Sequence, residues 1–213
     1  KKSTWWADYN LIGSKSRFSV FRHGEELGQT DWSLLGKHNL ENALGAVSAA
    51  MHVDVSAEIA LEALSEFKGV KRRLEKRGVF GGVTLYDDFA HHPTAIESTL
   101  SALRSQNSDK RILAAFEPKS NTMRMGLHGD ALGAVFNEAE RVFVLSSGGL
   151  SWEPASVLAG LKKKLFVSTE VNELLECLLA EIRNGDQVVL MSNGDFQGLP
   201  RLLQQGLESR VAN

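Results

Sequence analysis

Hydrophobic positions in the first third of the chain change rhythm once. Between Trp5 and Leu35 the apolar residues fall in short stretches, 18–21 and 32–35, around the turn-rich His23-Gly24-Glu25-Glu26, with no sustained 3.6-residue period. This segment reads as hairpin-like sheet. Leu40, Ala43, Leu44, Val47 and Met51 then recur at helical spacing. Ala60, Ala63, Leu64 and Phe67 repeat that pattern behind Ser56, whose hydroxyl is placed to cap a helix. Two helices are therefore expected after the sheet. A basic run of Lys68, Lys71, Arg72, Arg73, Lys76 and Arg77 is broken by Gly69, Gly78 and the Gly81-Gly82 pair. The pattern predicts a domain boundary and a hinge there, dividing residues 1–68 from 69–213.

Past the boundary the periods alternate. Strand patterns at 83–86, 112–116, 142–145, 165–167 and 188–191 are separated by helical ones at Ile96, Leu100, Leu103, at Leu132, Val135, Phe136, and at 155–158. Val171, Leu174, Leu175, Leu178, Leu179 and Ile182 form a fuller stripe with Thr169 in position to cap it, and Leu199, Leu202, Leu203 and Leu207 mark a last helix. Parallel crossovers need about a dozen residues, so five strands so separated predict an α/β, mostly parallel, Rossmann-like sheet covered on both faces. Ligands meet such sheets at the C-terminal ends of strands, where the strand order reverses. Three polar clusters fall at such ends: Asp87-Asp88 with His91-His92, residues 117–122, and Ser192-Asn193-Gly194-Asp195.

Composition narrows the partners. The 24 basic and 26 acidic side chains leave a net charge of -2, which offers no global field for nucleic acid or an anionic membrane. No apolar run approaches the ~20 residues that span a bilayer, and Lys1-Lys2-Ser3 leads into no signal-like core. The single cysteine, Cys177, lies in an apolar helical pattern and reads as a buried thiol in a reducing compartment. The chain begins without methionine, beside the aromatic Trp5, Trp6 and Tyr9, and is expected to be a piece of something longer.

The candidate chemistry is local. Asp87, Asp88, His91 and His92 group four ligating or proton-handling side chains at one corner, but no tight zinc spacing is complete and no structural metal is expected. One of the two carboxylates suits a ribose hydroxyl or a hydrated magnesium ion, and Pro93 can open the next helix. Arginine presents a planar fork to phosphoryl oxygens, so Lys71, Arg72 and Arg73 are candidates for a phosphate contact. Gly36-Lys37-His38-Asn39 is no phosphate loop, since G-x-x-x-x-G-K-[ST] is absent from the sequence. Any phosphate loop must lie outside these residues. Ser192 has no nucleophile elbow around it.

Taken in order, Gly36-Lys37-His38-Asn39-Leu40-Glu41-Asn42, Phe67-Lys68-Gly69-Val70-Lys71-Arg72-Arg73 and Tyr86-Asp87-Asp88-Phe89-Ala90-His91-His92-Pro93-Thr94 resemble the Mur ligases of bacterial cell-wall synthesis. Glu117-Pro118-Lys119-Ser120-Asn121-Thr122-Met123 and Met191-Ser192-Asn193-Gly194 narrow the resemblance to members that join recycled L-alanyl-γ-D-glutamyl-meso-diaminopimelate to UDP-N-acetylmuramate. Members that add L-alanine to the same nucleotide share only the first three motifs closely. The resemblance implies a cytoplasmic, ATP- and Mg2+-dependent amide ligase of three domains. Residues 1–68 would end the central ATPase domain and 69–213 would form the peptide-binding C-terminal domain, with the UDP-sugar domain and phosphate loop elsewhere in the polypeptide. The implied reaction passes through an acyl phosphate.

The resemblance also implies roles. His38 and Asn42 would meet the adenine side of ATP, Arg73 the nucleotide and its phosphates, and Asp87 or Asp88 the ribose or magnesium, with Arg73 and Asp88 as the catalytic pair. Glu117, Lys119, Ser120, Asn121, Thr122, Arg124, Ser192, Asn193 and Asp195 would receive the peptide. Asp195 and Gln197 depart from the family's glycine-rich Met-Ser-Asn-Gly-Gly-Phe-Gly-Gly turn. A non-catalytic Rossmann-like module that binds a peptide or a nucleotide is the competing reading, resting on the absent phosphate loop.

Overall fold

The computed structural model describes residues 4–12, 15–32, 34, 36–146 and 148–212; Lys1, Lys2, Ser3 and Leu35, named above, lie outside these. The chain divides into two units, Lys1–Gly69 and Val70–Asn213.

In the first unit, β1 (Trp5–Ile12), β2 (Lys15–Arg22) and β3 (Glu25–Trp32) form an antiparallel sheet in chain order. The expected turn is there. His23 and Gly24 join β2 to β3 with φ of 52° and 92°, the left-handed pair that matches the twist of a two-residue hairpin. A bulge shifts the register between Val20 and Phe21. Gly28 lies beside it, and a Cβ there would come within 2.8 Å of Leu61 Cδ1. Two helices follow, α1 (Lys37–His52) and α2 (Ala57–Glu66), and Ser56 Oγ caps α2 by accepting from the N–H of Ile59 at 3.3 Å. Leu40, Ala43 and Val47 of α1 and Ala60 and Leu61 of α2 bury against Val20 of the sheet. Directly opposed across β1 and β2, the rings of Trp6 and Phe21 stack with centroids 3.9 Å apart.

The second unit is a six-stranded sheet. Its strands are β4 (Glu75–Phe80), β5 (Val83–Asp88), β6 (Ile112–Glu117), β7 (Arg141–Leu145), β8 (Leu165–Ser168) and β9 (Gln187–Ser192), in the order β4-β5-β9-β6-β7-β8. The last five are parallel, as the alternation predicts. β4 is the difference: it pairs antiparallel with β5, so Gly81-Gly82 is a hairpin turn inside the unit and the basic run is partly an edge strand. The division between units falls after Gly69, ahead of this strand and within one residue of the expected boundary. Half-exposed residues, and a register shift between Lys76 and Gly78, erase the apolar alternation that reveals a strand.

Alternate strand residues serve opposite faces. Leu85, Leu113, Ala115, Phe143, Leu145, Val188 and Leu190 pack under α7 (Val171–Glu181) and α8 (Leu199–Ala212) through Leu174, Leu178, Leu199, Leu203 and Leu207. Half-buried Cys177 lies against this core, and burial pushes its thiol pKa up. On the other face α3 (Pro93–Gln106) packs on β6, and Phe116 meets Phe136 of the 3-10 turn Ala134–Phe136 at 5.8 Å. The single helix expected at 132–136 is instead a series of turns: α4 (Asn121–Arg124), α5 (Gly129–Leu132) and that 3-10 turn. The expected short helix near 155–158 is α6 (Pro154–Val157). Thr169 does not cap α7. Glu170 occupies the cap position, and Ser168 Oγ braces the entry by accepting from the N–H of Glu170 at 2.9 Å.

Candidate functional site

The register of three parallel strands assembles the site. β9 enters between β5 and β6, placing Asp88 beside Met191 and Glu117 beside Ser192. The chain runs from β5 past the β9 position to β6, outward to β8, and then back, which makes this the reversal point of the sheet. All three polar clusters read from the sequence therefore meet at one edge.

Glu117 anchors one side. It is 1 % exposed, and its Oε2 accepts from Ser192 Oγ at 2.6 Å. Ser192 Oγ in turn accepts from the N–H of Gly194 at 2.9 Å, folding the turn after β9 back on its strand. Lys119 lies across that turn, its Nζ 3.7 Å from Glu117 Oε1 and 3.3 Å from Asp195 Oδ1. It passes close over Gly194, where a Cβ would come within 2.5 Å of Lys119 Cδ and the lysine chain would have to shift. The Gln197 N–H, and then the Lys119 ammonium, hold the Asp195 carboxyl below its ordinary pKa. Asn193 Oδ1 is buried with no hydrogen-bond partner among the described residues. A buried acceptor left unpaired is costly, and a ligand donor would relieve it.

The segment after Glu117 is braced from behind. Ser120 caps α4, its Oγ accepting from the N–H of Met123 at 3.4 Å, so this residue has a structural task of its own. Asn121 and Thr122 stand exposed at the start of that turn. Arg124 donates Nε to the Gly149 carbonyl at 3.3 Å, while its own carbonyl accepts from Ser151 N–H and hydroxyl. Trp152 adds its indole N–H to the Met123 carbonyl at 2.5 Å, a contact with no signature in the sequence.

On the β5 side the acids are occupied internally. The two oxygens of Asp88 accept from the N–H of Leu74 and from that of Ala90, the latter at 2.6 Å. Asp87 faces Arg72 at 3.6 Å and Arg77 at 3.4 Å; burial raises its pKa, and the two guanidiniums offset part of that shift. Arg72 also donates Nη2 to the Ser192 carbonyl at 2.5 Å, which ties the start of the second unit to the end of β9. Its φ of 56° and the 49° of Leu74 are left-handed values that the Asp88 and Phe89 contacts help to hold. Phe89 is flanked by the guanidiniums of Arg72 and Arg73, at 5.2 and 5.4 Å from its ring centroid. Arg72 is thus the fixed arginine and Arg73 the exposed one. Phe89, which stations both, is the residue that the sequence pattern passes over.

The histidines are not gathered for a metal. His91 Nδ1 lies 2.9 Å from the Phe89 carbonyl, and His92 Nδ1 caps α3 by accepting from the N–H of Thr94 at 3.3 Å, ahead of Pro93 at the first helical position. Among the described residues no group of three His, Cys, Asp or Glu side chains is placed to hold a metal ion. His38 and Asn42 belong to the first unit, four residues apart on α1 and therefore on one side of that helix.

A family model described as "Mur ligase, glutamate ligase domain" matches residues 72–194, more than half of the chain and the strand ends just described up to Gly194. The chain belongs to the Mur ligases. Over 207 residues, 97 % of the chain, it is 41 % identical to the UDP-N-acetylmuramate-L-alanyl-γ-D-glutamyl-meso-2,6-diaminoheptandioate ligase of Escherichia coli (strain K12), covering 45 % of that protein. The crystal structure of a murein peptide ligase from Psychrobacter arcticus 273-4 superposes with a TM-score of 0.70 at 35 % identity, over 97 % of this chain and 45 % of that one. A UDP-N-acetylmuramate-L-alanine ligase from Desulforapulum autotrophicum is 32 % identical over 201 residues, 90 % of this chain and 44 % of its own length. This Mur ligase chain thus spans less than half the length of the curated relatives it matches. No helix among its described residues is long and apolar enough to cross a membrane.

Proposed function

We propose that this chain is the carboxyl-terminal part of a cytoplasmic ATP-dependent ligase that joins the tripeptide L-alanyl-γ-D-glutamyl-meso-diaminopimelate to UDP-N-acetylmuramate in peptidoglycan recycling. One observation carries the reading: Lys119 presents a cation over the turn that follows β9, the same turn in which the Asn193 side-chain oxygen is buried without a partner among the described residues. Such a pair suits a substrate bearing both carboxylate and amino or amide groups, with the carboxylate on Lys119 and an N–H on Asn193. Higher identity to the tripeptide-named relative than to the alanine-named one over most of the chain supports the choice of peptide.

In this reading the second unit holds the peptide so that its amino group meets an activated carboxylate of the muramic acid in a water-poor cleft. Glu117 and Ser192 fix the floor, while Asn121, Thr122 and Arg124 line the approach on the α4 side. ATP would supply the phosphoryl group that activates the carboxylate. Exposed Arg73, stationed on Phe89, fits a phosphate contact, and His38 and Asn42 fit the adenine side. Magnesium fits less well here. Both oxygens of Asp88 are engaged by backbone donors, and Asp87 is held by two arginines, so the reading assigns the metal's ligands to the remainder of the polypeptide.

The test is ATP hydrolysis by the full-length polypeptide carrying this chain, with UDP-N-acetylmuramate and either the tripeptide or free L-alanine. Tripeptide-dependent turnover is expected. Preference for L-alanine would transfer the chain to the sister activity, and turnover with neither would leave a binding module.

A further inference from the structure

The family's glycine-rich turn is interrupted here by Asp195, whose side chain reaches the very cation assigned to the peptide. Lys119 Nζ stands between two carboxylates of unequal standing. Glu117 is 1 % exposed and bound to the Ser192 hydroxyl at 2.6 Å, so it cannot leave without stranding a buried charge. The Asp195 side chain is 78 % exposed and meets Lys119 at 3.3 Å through one oxygen, the same oxygen that accepts from the Gln197 N–H at 3.3 Å. The backbone beneath it is fixed: Phe196 is 1 % exposed in the core, and φ is 52°, 50° and 77° at Phe196, Gln197 and Gly198. The turn thus carries an exposed acid held to it by one oxygen, while the other acid on Lys119 is buried.

We propose that Asp195 is a stand-in carboxylate, which occupies the Lys119 ammonium until a carboxylate of the incoming peptide displaces it. The inference rests on the peptide-ligase reading and adds a selection rule. An anionic peptide end exchanges one oxygen partner of Lys119 for another and releases Asp195 to water at little cost. A neutral end offers Lys119 less than Asp195 already gives, so it is turned away. Selection here comes from an internal competitor as well as from the attraction to Lys119.

The experiment is titration calorimetry on the full-length polypeptide with two probes: the tripeptide, and the same tripeptide with carboxamides replacing the carboxylates of its last residue. The unmodified protein is expected to bind the acid form at least tenfold more tightly. Asp195→Asn should tighten the acid form about two- to fivefold, the range open to an exposed ion pair. Lys119→Met should abolish the preference for acid over carboxamide, and Asp195→Asn added to that background should change nothing. Weaker or unchanged acid binding in Asp195→Asn, or a preference that survives Lys119→Met, overturns the stand-in role while leaving the peptide reading intact. Failure of every variant to bind either probe overturns both.

Discussion

At the end of β5, Asp88 accepts through its two oxygens from two backbone N–H groups, whereas at the end of β6 Glu117 meets the buried Ser192 hydroxyl and the half-exposed ammonium of Lys119. Both acids are buried, 5 % and 1 % exposed, and both close a parallel strand. Depth alone does not mark a binding residue. An acid satisfied by its own backbone stabilises a loop, and one that also meets an exposed side chain such as Lys119 can pass its influence on to a ligand. The same contrast separates Arg72, tied to Asp87 and the Ser192 carbonyl, from exposed Arg73.

The sharpest way to break this comparison is Asp88→Ala. Two buried N–H groups lose their acceptor, at about 1–3 kcal/mol each, so urea unfolding should show a loss of about 3 kcal/mol. A loss under about 1 kcal/mol would mean that Asp88 is free for a ligand after all. Arg73→Ala should leave stability nearly untouched but lower turnover of the full-length ligase at least tenfold, since one charge-assisted contact is worth about 1.5–3 kcal/mol. Unchanged turnover would remove Arg73 from the phosphate role. Glu117→Gln keeps a partner for Ser192 and should cost only about 1 kcal/mol in the same urea experiment, while loosening Lys119 enough to weaken tripeptide binding measurably. An effect on stability as large as that of Asp88→Ala would erase the distinction.

The smallest effect is one of sign. Burial raises the folded-state pKa of Asp87 above its ordinary 3.8, so the folded chain binds this proton more tightly than the unfolded one. Stability from this group is then fully present below about 3.8 and falls as pH rises through the folded value. Relative to Asp87→Asn, the unmodified chain should lose stability on going from pH 3 to pH 7 in paired urea titrations. The opposite slope would show that Arg72 and Arg77 outweigh burial.

Much of this was legible in the sequence because burial writes a period. The five parallel strands are nearly continuous apolar runs, and the long helices α1, α3, α7 and α8 repeat at 3.6 residues. β4 escaped because an exposed edge strand with a bulge needs no apolar face, and four-residue helices such as α4 and α5 are too short to show a period. The polar clusters at the strand ends could be read, but their partnerships could not. Glu117 and Ser192 are 75 residues apart and Arg72 and Ser192 are 120 apart, so both depend on where β9 inserts.

That insertion has a consequence for biosynthesis. β9 is the last of these six strands to leave the ribosome, yet it belongs in the middle, flanked by β5 and β6. Until residues 187–192 emerge, those two neighbours have nothing between them, and each presents an unsatisfied row of amides to any passing strand. A nascent chain arrested before residue 187 should be held by chaperones far longer than one arrested just after α8 has cleared the exit tunnel.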